Sequence, residues 1–480
     1  MSANYTIFAP MGRSKTNRVI LENLEVIDAG AKGKAVARAE DGRVVFINNA
    51  VPGDVATIQT TKKRKAYYEG SAISFSKLSE RRVDPVCEHF GTCGGCKWQF
   101  MGYDHQLFFK QKEVENNLIR IGKVELPEII PILGSKEQYF YRNKMEFSFS
   151  DNKWLTLDQI KSDKIIENRN ALGFHIPGMW DKILDLKKCH LQRDPSNAIR
   201  DFIKMKAQEL DIAFFNTRAQ QGVLRTLMIR TSSTGDLMVL LQLFKEDEVK
   251  RKELLDAVAS EFPAITSLLY VINSKGNDTI YDQDVICYHG SDHIFEEMEG
   301  LRFKINAKSF YQTNSEQAHE LYKITRDFAG LSGNETVYDL YTGTGTIAQF
   351  VAKKAGKVIG VESVPEAIDA AKENAQLNGI DNVDFYVGDM KKVFNDTFTE
   401  THGLPDVIIT DPPRDGMHGD VVAQLLRIAA PKIVYVSCNS ATQARDLALL
   451  DEMYKVTKVQ AVDMFPQTHH VENVVLLEKR

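Results

Sequence analysis

Three side chains near the end of the chain have the types that alkylation of a carbon atom requires. Cys438 ends an apolar stretch, Asp411 is followed by two prolines and Arg414, and Glu472 follows a pair of histidines. A thiolate can add to an unsaturated ring, and a carboxylate can then remove a proton. A cysteine at the end of an apolar strand is by itself more often a small buried residue. The prediction of covalent catalysis therefore rests on all three.

A glycine turn upstream of these residues is typical of a cofactor-binding loop. A short apolar strand ending at Tyr341 leads into Thr342-Gly343-Thr344-Gly345-Thr346 and then a helix. The next strand ends at Glu362, at the spacing where such folds place a carboxylate on ribose hydroxyls. The third glycine of the dinucleotide fingerprint is absent, since Ile347, Ala348 and Gln349 follow. This pattern favours S-adenosylmethionine over NAD, with a dehydrogenase as the alternative.

Strands must bring these residues to one edge. From Phe310 onward, apolar strands alternate with helices, as in a doubly wound, Rossmann-like α/β sheet. The third strand ends at Asp389, which we expect at the adenine edge, and the fourth ends at Asp411 on the expected catalytic edge. We assign residues 301–480 to this catalytic domain.

Four of the six cysteines form a second chemical group. Cys87, Cys93 and Cys96 lie close together around glycines, and Cys189 is a distant fourth. Glycines relieve the backbone crowding of loops that fold several sulfur ligands around one centre. The spacing predicts a metal centre, but it does not separate zinc from an iron–sulfur cluster.

The N-terminal segment reads as a small β-barrel. Five short strands between Leu21 and Phe75 are separated by turn signals, and Val44 to Asp54 resembles the TRAM domain, an oligonucleotide-binding type of barrel. Residues 1–82 hold 14 Lys and Arg against 8 Asp and Glu, a net charge of +6. The run Lys62, Lys63, Arg64, Lys65 beside Tyr67 and Tyr68 suits phosphate contacts and base stacking, although a solvated turn is the simpler interpretation. We assign residues 1–78 to the barrel.

Residues 79–300 read as a central α+β domain that carries the cysteines. Tyr139 to Lys144 opens an alternating strand that places Arg142 and Lys144 on one face. That face suits phosphate binding or simple solvation equally well.

Composition sets the wider limits. At 480 residues the chain exceeds what one core usually serves, so two or three domains are expected. No apolar run reaches membrane-spanning length, and Met1 to Pro10 lacks the pattern of a secretory leader. We therefore expect a cytoplasmic protein with no membrane contact and no obligate protein partner. The net charge of −5 hides the basic N-terminal segment.

Several motifs occur in one order over nearly the whole chain, and together they resemble the RNA uracil-5-methyltransferase family. The layout is most similar to that of the family's 23S ribosomal RNA enzymes. The motifs are the TRAM-like start, the four cysteines, Ser309-Phe310-Tyr311-Gln312-Thr313-Asn314, Asp339-Leu340-Tyr341, Asp411-Pro412-Pro413-Arg414, Ser437-Cys438-Asn439 and Thr468-His469-His470-Val471-Glu472. One departure is Ser440, where the family usually has proline, and it leaves the rigidity of the Cys438 loop open.

The resemblance implies roles for these residues. Cys438 is implied as the nucleophile at carbon 6 of uracil, Glu472 as the acceptor of the proton from carbon 5, and Asp411 as a group that orients the base. Gln312, Tyr341, Gly343, Thr346, Glu362, Asp389 and Asp411 are implied around S-adenosylmethionine or the base, and Cys87, Cys93, Cys96 and Cys189 around a [4Fe-4S] cluster. His469 and His470 are expected to shape the loop that carries Glu472. The product is 5-methyluridine.

The resemblance leaves open which RNA is the substrate, and other classes of protein have to be weighed. A uridine inside a helix is inaccessible, so the target must be unpaired or flipped. We expect 23S ribosomal RNA, with transfer RNA as the alternative; the modified uridine and the oligomeric state stay open. A radical methyltransferase needs an iron with an open coordination position, but here a fourth cysteine would fill that position. An amino-group methyltransferase is expected to have an aromatic residue after the two prolines, where this chain has Arg414. A non-catalytic RNA-binding iron–sulfur protein would leave Cys438 and Glu472 without a use.

Overall fold

The computed structural model describes residues 18–162 and 166–480. Met1 to Pro10, where we expect no leader, lie outside these residues. Within the described ranges, none of the helices combines the length and apolarity needed to cross a bilayer.

The N-terminal segment is a six-stranded sheet. Its strands are β1 (Ile20–Glu25), β2 (Asp28–Ala29), β3 (Ala35–Arg38), β4 (Val44–Asn48), β5 (Val55–Lys63) and β6 (Tyr67–Lys77), with a 3-10 turn at Ala31–Gly33. The spatial order is β1-β5-β6-β4-β3-β2. Alternate residues of β4 and β5, namely Val45, Ile47, Ala56 and Ile58, are fully buried. Because alternate side chains point to the same face of a strand, the alternation in the sequence gives these strands one buried face.

The middle of the chain forms a seven-stranded sheet. Its elements are α1 (Tyr103–Asn117), a π-helical turn (Leu118–Gly122), β7 (Ile130–Leu133), β8 (Lys144–Ser150), α2 (Leu157–Lys161), β9 (Ala171–Ile176), β10 (Met179–Asp185), α3 (Ser196–Glu209), β11 (Leu224–Thr231), β12 (Leu237–Leu243), α4 (Glu248–Glu261), β13 (Ser267–Ile272) and β14 (Val285–Gly290). The order is β10-β9-β8-β11-β12-β13-β14, and β7 belongs to another sheet.

The C-terminal part begins with a hairpin and continues as alternating strands and helices. Its elements are β15 (His293–Met298), β16 (Leu301–Asn306), α5 (Ser315–Ala329), β17 (Thr336–Leu340), α6 (Thr346–Ala352), β18 (Lys357–Glu362), α7 (Pro365–Leu377), β19 (Val383–Val387), α8 (Met390–Val393), α9 (Asp396–His402), β20 (Val407–Thr410), α10 (Gly419–Ile428), β21 (Lys432–Ser437), α11 (Ser440–Leu450), β22 (Tyr454–Val462) and β23 (Glu472–Lys479). The domain boundary that we place after residue 300 falls in the turn between β15 and β16.

The C-terminal sheet has the order β19-β18-β17-β20-β21-β23-β22-β7. The first five strands are parallel, which confirms the doubly wound pattern predicted from the sequence. The next strand, β23, runs antiparallel to both β21 and β22. The parallel strands deliver their carboxyl ends to one edge of the sheet, where ligands bind in this class of fold.

The cysteine-bearing segment is physically joined to this C-terminal sheet. β7 pairs in parallel with β22 as the last strand. Lys110 of α1 forms an ion pair with Asp463, just after β22, with 2.5 Å between Nζ and Oδ1 and both side chains fully buried. Tyr103 donates a second hydrogen bond to Asp463. Charges removed from water in this way must be paired, so α1 is fixed in place.

Replacing Lys110 by Met should lower the free energy of unfolding by about 3–5 kcal/mol, because it leaves the buried Asp463 carboxylate without its cation. Urea unfolding measures this change. Lys112→Met is the matched control: its ion pair with Asp28 is partly exposed, with side chains 38% and 29% accessible, so the expected change is below about 1 kcal/mol. Equal effects of the two substitutions would contradict a special role for the buried pair.

Candidate active site

Strand order and register bring the three predicted catalytic residues together. Asp411 follows β20 and Cys438 follows β21, at neighbouring carboxyl ends of the parallel sheet. Ser437 lies opposite Asn473 in the antiparallel pair of β21 and β23. One step further along this register, Cys438 faces Glu472. A thiol and two carboxyls therefore share one edge of the sheet.

Hydrogen bonds hold the turn that carries Cys438. The Asn439 side chain accepts from Ala441 N and so caps α11, while its Nδ2 donates to the Arg414 carbonyl over 2.9 Å. Ser440, at the position of the family proline, accepts a 2.8 Å hydrogen bond from Asn117 of α1. These bonds constrain the turn without a proline ring. The N-terminus of α11 also favours negative charge nearby, as a thiolate requires.

The electrostatics of this edge oppose ionisation. Burial raises the pKa of Glu472 to about 8 and that of Asp411 to about 7. Burial, then the charges of Glu472 and Asp411, raise the pKa of the Cys438 thiol to about 11, whereas Arg414 lowers it through its charge and a hydrogen bond. Pairs of acidic groups with perturbed pKa values are typical of acid–base sites. The positive charge of Arg414 therefore stabilises the thiolate form of Cys438.

The glycine turn lies along the same edge. Tyr341, Gly343 and Gly345 all have left-handed backbones, with φ of 64°, 56° and 73°. A Cβ on Gly345 would lie 2.6 Å from the Phe385 ring, so this glycine is needed for packing as well. Gly343 N donates to the Glu362 carboxylate over 3.2 Å. The predicted loop and its acid are therefore in direct contact.

The remaining predicted cofactor residues lie at the ends of strands and helices. Thr346 begins α6, and Asp389 caps α8 by accepting from Lys391 N over 3.1 Å. Gln312 lies between β16 and α5, and its carbonyl accepts a 2.9 Å hydrogen bond from Asn143 of the central segment. The carboxyl ends of parallel strands, with a glycine turn and acids, suit a nucleoside with an attached amino acid.

The four clustered cysteines line one cavity of about 590 Å³. Burial raises the pKa of Cys93 to about 11 and that of Cys96 to about 12. Deprotonated sulfurs here would need a cationic partner. Within residues 18–162 and 166–480, no group of three or more His, Cys, Asp or Glu has the arrangement that holds a single metal ion. The predicted iron–sulfur site is thus not shown by the geometry, although Cys87, Cys93, Cys96 and Cys189 do converge.

The predicted RNA contacts divide into two places. Lys62, Lys63, Arg64 and Lys65 are all exposed at the end of β5 and in the following turn. Tyr68 cannot stack on a base as we expected: it is 3% exposed, donates to Asp41 over 2.9 Å and lies under the Arg43 guanidinium.

Arg142 and Lys144 are not on an open sheet face. Both line the cysteine cavity, and Lys144 forms a 2.6 Å ion pair with Glu146. The Arg142 guanidinium lies 5.8 Å from the Phe465 ring, in the loop that precedes Glu472. The basic face therefore connects the cysteine cavity with the catalytic edge.

Two further residues, Asp339 and Phe310, belong to motifs of the sequence but were given no role from it. Asp339 is buried at the end of β17, binds Thr342 over 2.5 Å, and has its pKa raised to about 7 by burial. An acid inside an apolar strand is the signal that could have marked it. Phe310, next but one to Gln312, is 66% exposed, as expected of a ring that stacks on a base.

Two family models match the sequence of this chain. Residues 231–480 match the tRNA (uracil-5-)-methyltransferase model, and residues 15–73 match the TRAM domain. The chain belongs to the tRNA (uracil-5-)-methyltransferase family. This finding confirms the resemblance, with a TRAM domain at the N-terminus and a methyltransferase fold at the C-terminus. The protein is thus an S-adenosylmethionine-dependent RNA uracil-5-methyltransferase.

Two relatives and one solved structure extend the similarity to nearly the whole length. An RNA methyltransferase of Bacteroides thetaiotaomicron is 58% identical over 94% of this chain and 100% of its own. One from Chlorobaculum tepidum is 36% identical over 95% of this chain and 96% of its own. The crystal structure of Pyrococcus abyssi tRNA (uracil-54, C5)-methyltransferase in complex with S-adenosyl-L-homocysteine is 27% identical, with a TM-score of 0.73 over 95% of this chain and 100% of that one.

Replacing Arg414 by Gln should slow alkylation of Cys438 by iodoacetamide about threefold at pH 8, because losing the cation raises the thiol pKa and alkylation follows the thiolate fraction. Mass spectrometry of the Cys438 peptide measures the rate. Cys287, which is exposed and remote in the central sheet, is the internal control. An unchanged Cys438 rate would exclude the charge effect of Arg414.

Proposed function

We propose that this enzyme methylates carbon 5 of a uridine in 23S ribosomal RNA through a covalent adduct between Cys438 and carbon 6. The observation that carries the proposal is the β21–β23 register, which sets the Cys438 thiol opposite Glu472 beside Asp411. Uracil carbon 5 is a poor nucleophile, and only a residue that adds to carbon 6 makes it reactive. A thiol close enough to two carboxyls for their charges to act on it fits that need.

Cys438 acts first in this scheme. Its thiol gives its proton to solvent, the thiolate sulfur bonds to carbon 6, and the electrons of the ring double bond move toward carbon 5 as an enolate. Arg414 favours this step because it stabilises the thiolate. Carbon 5 then bonds to the methyl group of S-adenosylmethionine, which supplies an electrophilic carbon on a sulfonium leaving group.

Glu472 acts last. Its carboxylate takes the proton from carbon 5, the electrons of that C–H bond re-form the ring double bond, and the bond between carbon 6 and the Cys438 sulfur breaks. Because burial raises the pKa of Glu472 to about 8, the ionised base is the minor form at neutral pH. Asp411, with a pKa of about 7, is placed to hold the polar edge of the base.

We propose that the methyl donor is held by Gln312, Tyr341, Gly343, Thr346, Glu362, Asp389 and Asp411. This assignment is supported by the common edge of the parallel sheet and by the hydrogen bond that Gly343 N donates to Glu362. Glu362 already accepts from Ser363 N and Val364 N through its other oxygen. It is therefore held in place and can accept from a ribose hydroxyl with little rearrangement.

We infer that Cys87, Cys93, Cys96 and Cys189 hold a [4Fe-4S] cluster. The four thiols line one cavity, and four cysteine thiolates are the usual ligands of such a cluster. The bound iron would supply the positive charge that buried thiolates require. Methyl transfer by this route is redox neutral, so the role is structural or concerns RNA placement.

The RNA partner is inferred from charge and exposure. The exposed run from Lys62 to Lys65 suits phosphate contacts, and Arg142 and Lys144 lead from the cysteine cavity to the catalytic edge. Phe310 offers a free ring for a base beside a flipped uridine. We place the reaction in the cytoplasm, where this RNA is made, without an obligate protein partner.

Transfer RNA is the second candidate. The similarity to the Pyrococcus abyssi enzyme, whose description specifies uracil 54 of transfer RNA, favours it. Both substrates would use the same chemistry, so only an RNA comparison separates them.

Incubation with labelled S-adenosylmethionine and either unmodified 23S ribosomal RNA or unmodified transfer RNA tests the proposal. We expect 5-methyluridine in ribosomal RNA, and a decrease in rate of about 10³-fold or more in Cys438→Ala, since the covalent step is lost. Cys287→Ala is the matched control and should keep full activity. Label in transfer RNA alone would reassign the substrate, and normal turnover of Cys438→Ala would refute the covalent route.

Glu472→Gln should trap the methylated RNA on the enzyme as an adduct that survives denaturing electrophoresis, because elimination needs a base. In the native chain, the rate of product release should rise with pH through about 8, since the ionised fraction of Glu472 increases above its pKa. Single-turnover release at pH 6.5 to 9 measures this. A release rate that falls over this range would argue against Glu472 as the base.

A further inference from the structure

The loop between β22 and β23, residues 463–471, leads directly into Glu472. Its backbone is held from several parts of the chain. Asn314 donates to the Met464 carbonyl over 3.0 Å, and Tyr141 donates to the Pro466 carbonyl over 3.0 Å. Lys110 donates to the Phe465 carbonyl over 3.2 Å. A loop bonded at successive residues is a defined part of the structure.

Gln467 is the most constrained residue of this loop. Its backbone is left-handed, with φ of 68°, a region that residues with a side chain rarely adopt. It is 3% exposed. Such a conformation persists only when the surroundings determine it, and it occurs most often near functional sites.

The surroundings of Gln467 come from the cysteine-bearing segment. Lys97 N and Trp98 N both donate to the Gln467 carbonyl, over 2.8 and 3.0 Å. Lys97 directly follows Cys96 in the chain. Gln467 N donates to Gln106 Oε1, and Gln106 Nε2 donates back to Gln467 Oε1, each over 3.0 Å.

Gln106 is itself fixed. It is 1% exposed, and its Nε2 also donates to the carbonyls of Trp98 and Met101, over 3.1 and 2.8 Å. The side chain of Gln106 therefore ties the turn after Cys96 to the loop before Glu472. Thr468, next to Gln467, lines the cysteine cavity.

We propose that Gln467 and Gln106 are positioning residues for Glu472, and that they couple the fold of the cysteine-bearing segment to proton removal from the methylated adduct. This inference rests on the function proposed above. The amides of Lys97 and Trp98 and the Gln106 carboxamide hold Gln467 in its left-handed conformation. That conformation directs the last residues of the loop, so that Glu472 enters β23 facing Cys438.

The proposal predicts a specific kinetic defect. Gln467→Ala removes the carboxamide and places alanine at a positive φ, so the loop shifts and Glu472 reaches carbon 5 less well. Cys438 and the cofactor groove lie on other elements, so adduct formation and methyl transfer continue. We expect release of 5-methyluridine to slow about tenfold or more, while the denaturation-resistant, methyl-labelled adduct increases. Gln467→Asn keeps a carboxamide, tolerates the left-handed region better, and should recover part of the release rate.

The control matches both residue type and backbone. Gln220 is also a glutamine at positive φ, 52°, but it lies in an exposed turn of the central segment, where Asn216 and Gln221 are its neighbours. Gln220→Ala should change neither release nor adduct. Gln106→Met, which removes the reciprocal hydrogen bonds from the other side, should raise the adduct as Gln467→Ala does. It serves as the test if Gln467→Ala does not yield folded protein.

The outcomes separate this inference from the proposed function. If the native chain forms no 5-methyluridine, or Glu472→Gln traps no adduct, the proposed function fails. If both of those results hold but the adduct in Gln467→Ala and Gln106→Met stays at the native level or falls in step with the rate, the positioning role is wrong. Raised adduct with slowed release in both, absent in Gln220→Ala, supports it.

Discussion

The antiparallel pairing of β23 with β21 is the constraint on which the site depends. Parallel strands alone would supply Asp411 and Cys438 at one edge, but every such strand ends there and none begins there. An antiparallel strand begins at that edge, so its first residue, Glu472, meets the residue that follows β21. Because strand register is fixed by burial on both faces, a slip of one residue would turn Glu472 away from the site. One strand register therefore fixes the positions of both the proposed nucleophile and the proposed base.

The remaining parts of the chain support this edge. The central segment holds the Gln312 loop through Asn143 and holds the loop before Glu472 through Tyr141. The buried pair of Lys110 and Asp463 fixes α1 against the sheet. Burial raises the pKa values of Asp339, Asp411 and Glu472, and Arg414 opposes this rise at Glu472. Removing carboxyls from water therefore governs the charge of this edge more than any single cation does.

Local patterns made much of the architecture predictable. Strand periodicity gave the barrel and the parallel sheet, and the glycine turn located the cofactor groove, because these signals depend on residues close in sequence. Features that depend on long-range contacts could not be predicted from these local patterns. The pairing of β7 with β22, the burial of Tyr68 under Arg43, and the left-handed Gln467 depend on segments far apart in the chain. Ser440 is a further case, since only the structure shows Asn117 taking over the constraint of a proline.

The position of β7 also constrains the order in which parts of the chain can fold. Gln460 of β22 donates to Pro131 of β7 across 329 positions of sequence. The N-terminal barrel closes within its own segment and can form as soon as it leaves the ribosome, whereas this edge must wait for β22. Until then β7 has no partner strand, and the turn after Cys96 lacks the Gln467 carbonyl that its amides bind. The segment from β22 to β23 therefore closes the cysteine region and completes the edge that carries Cys438 and Glu472 in the same event.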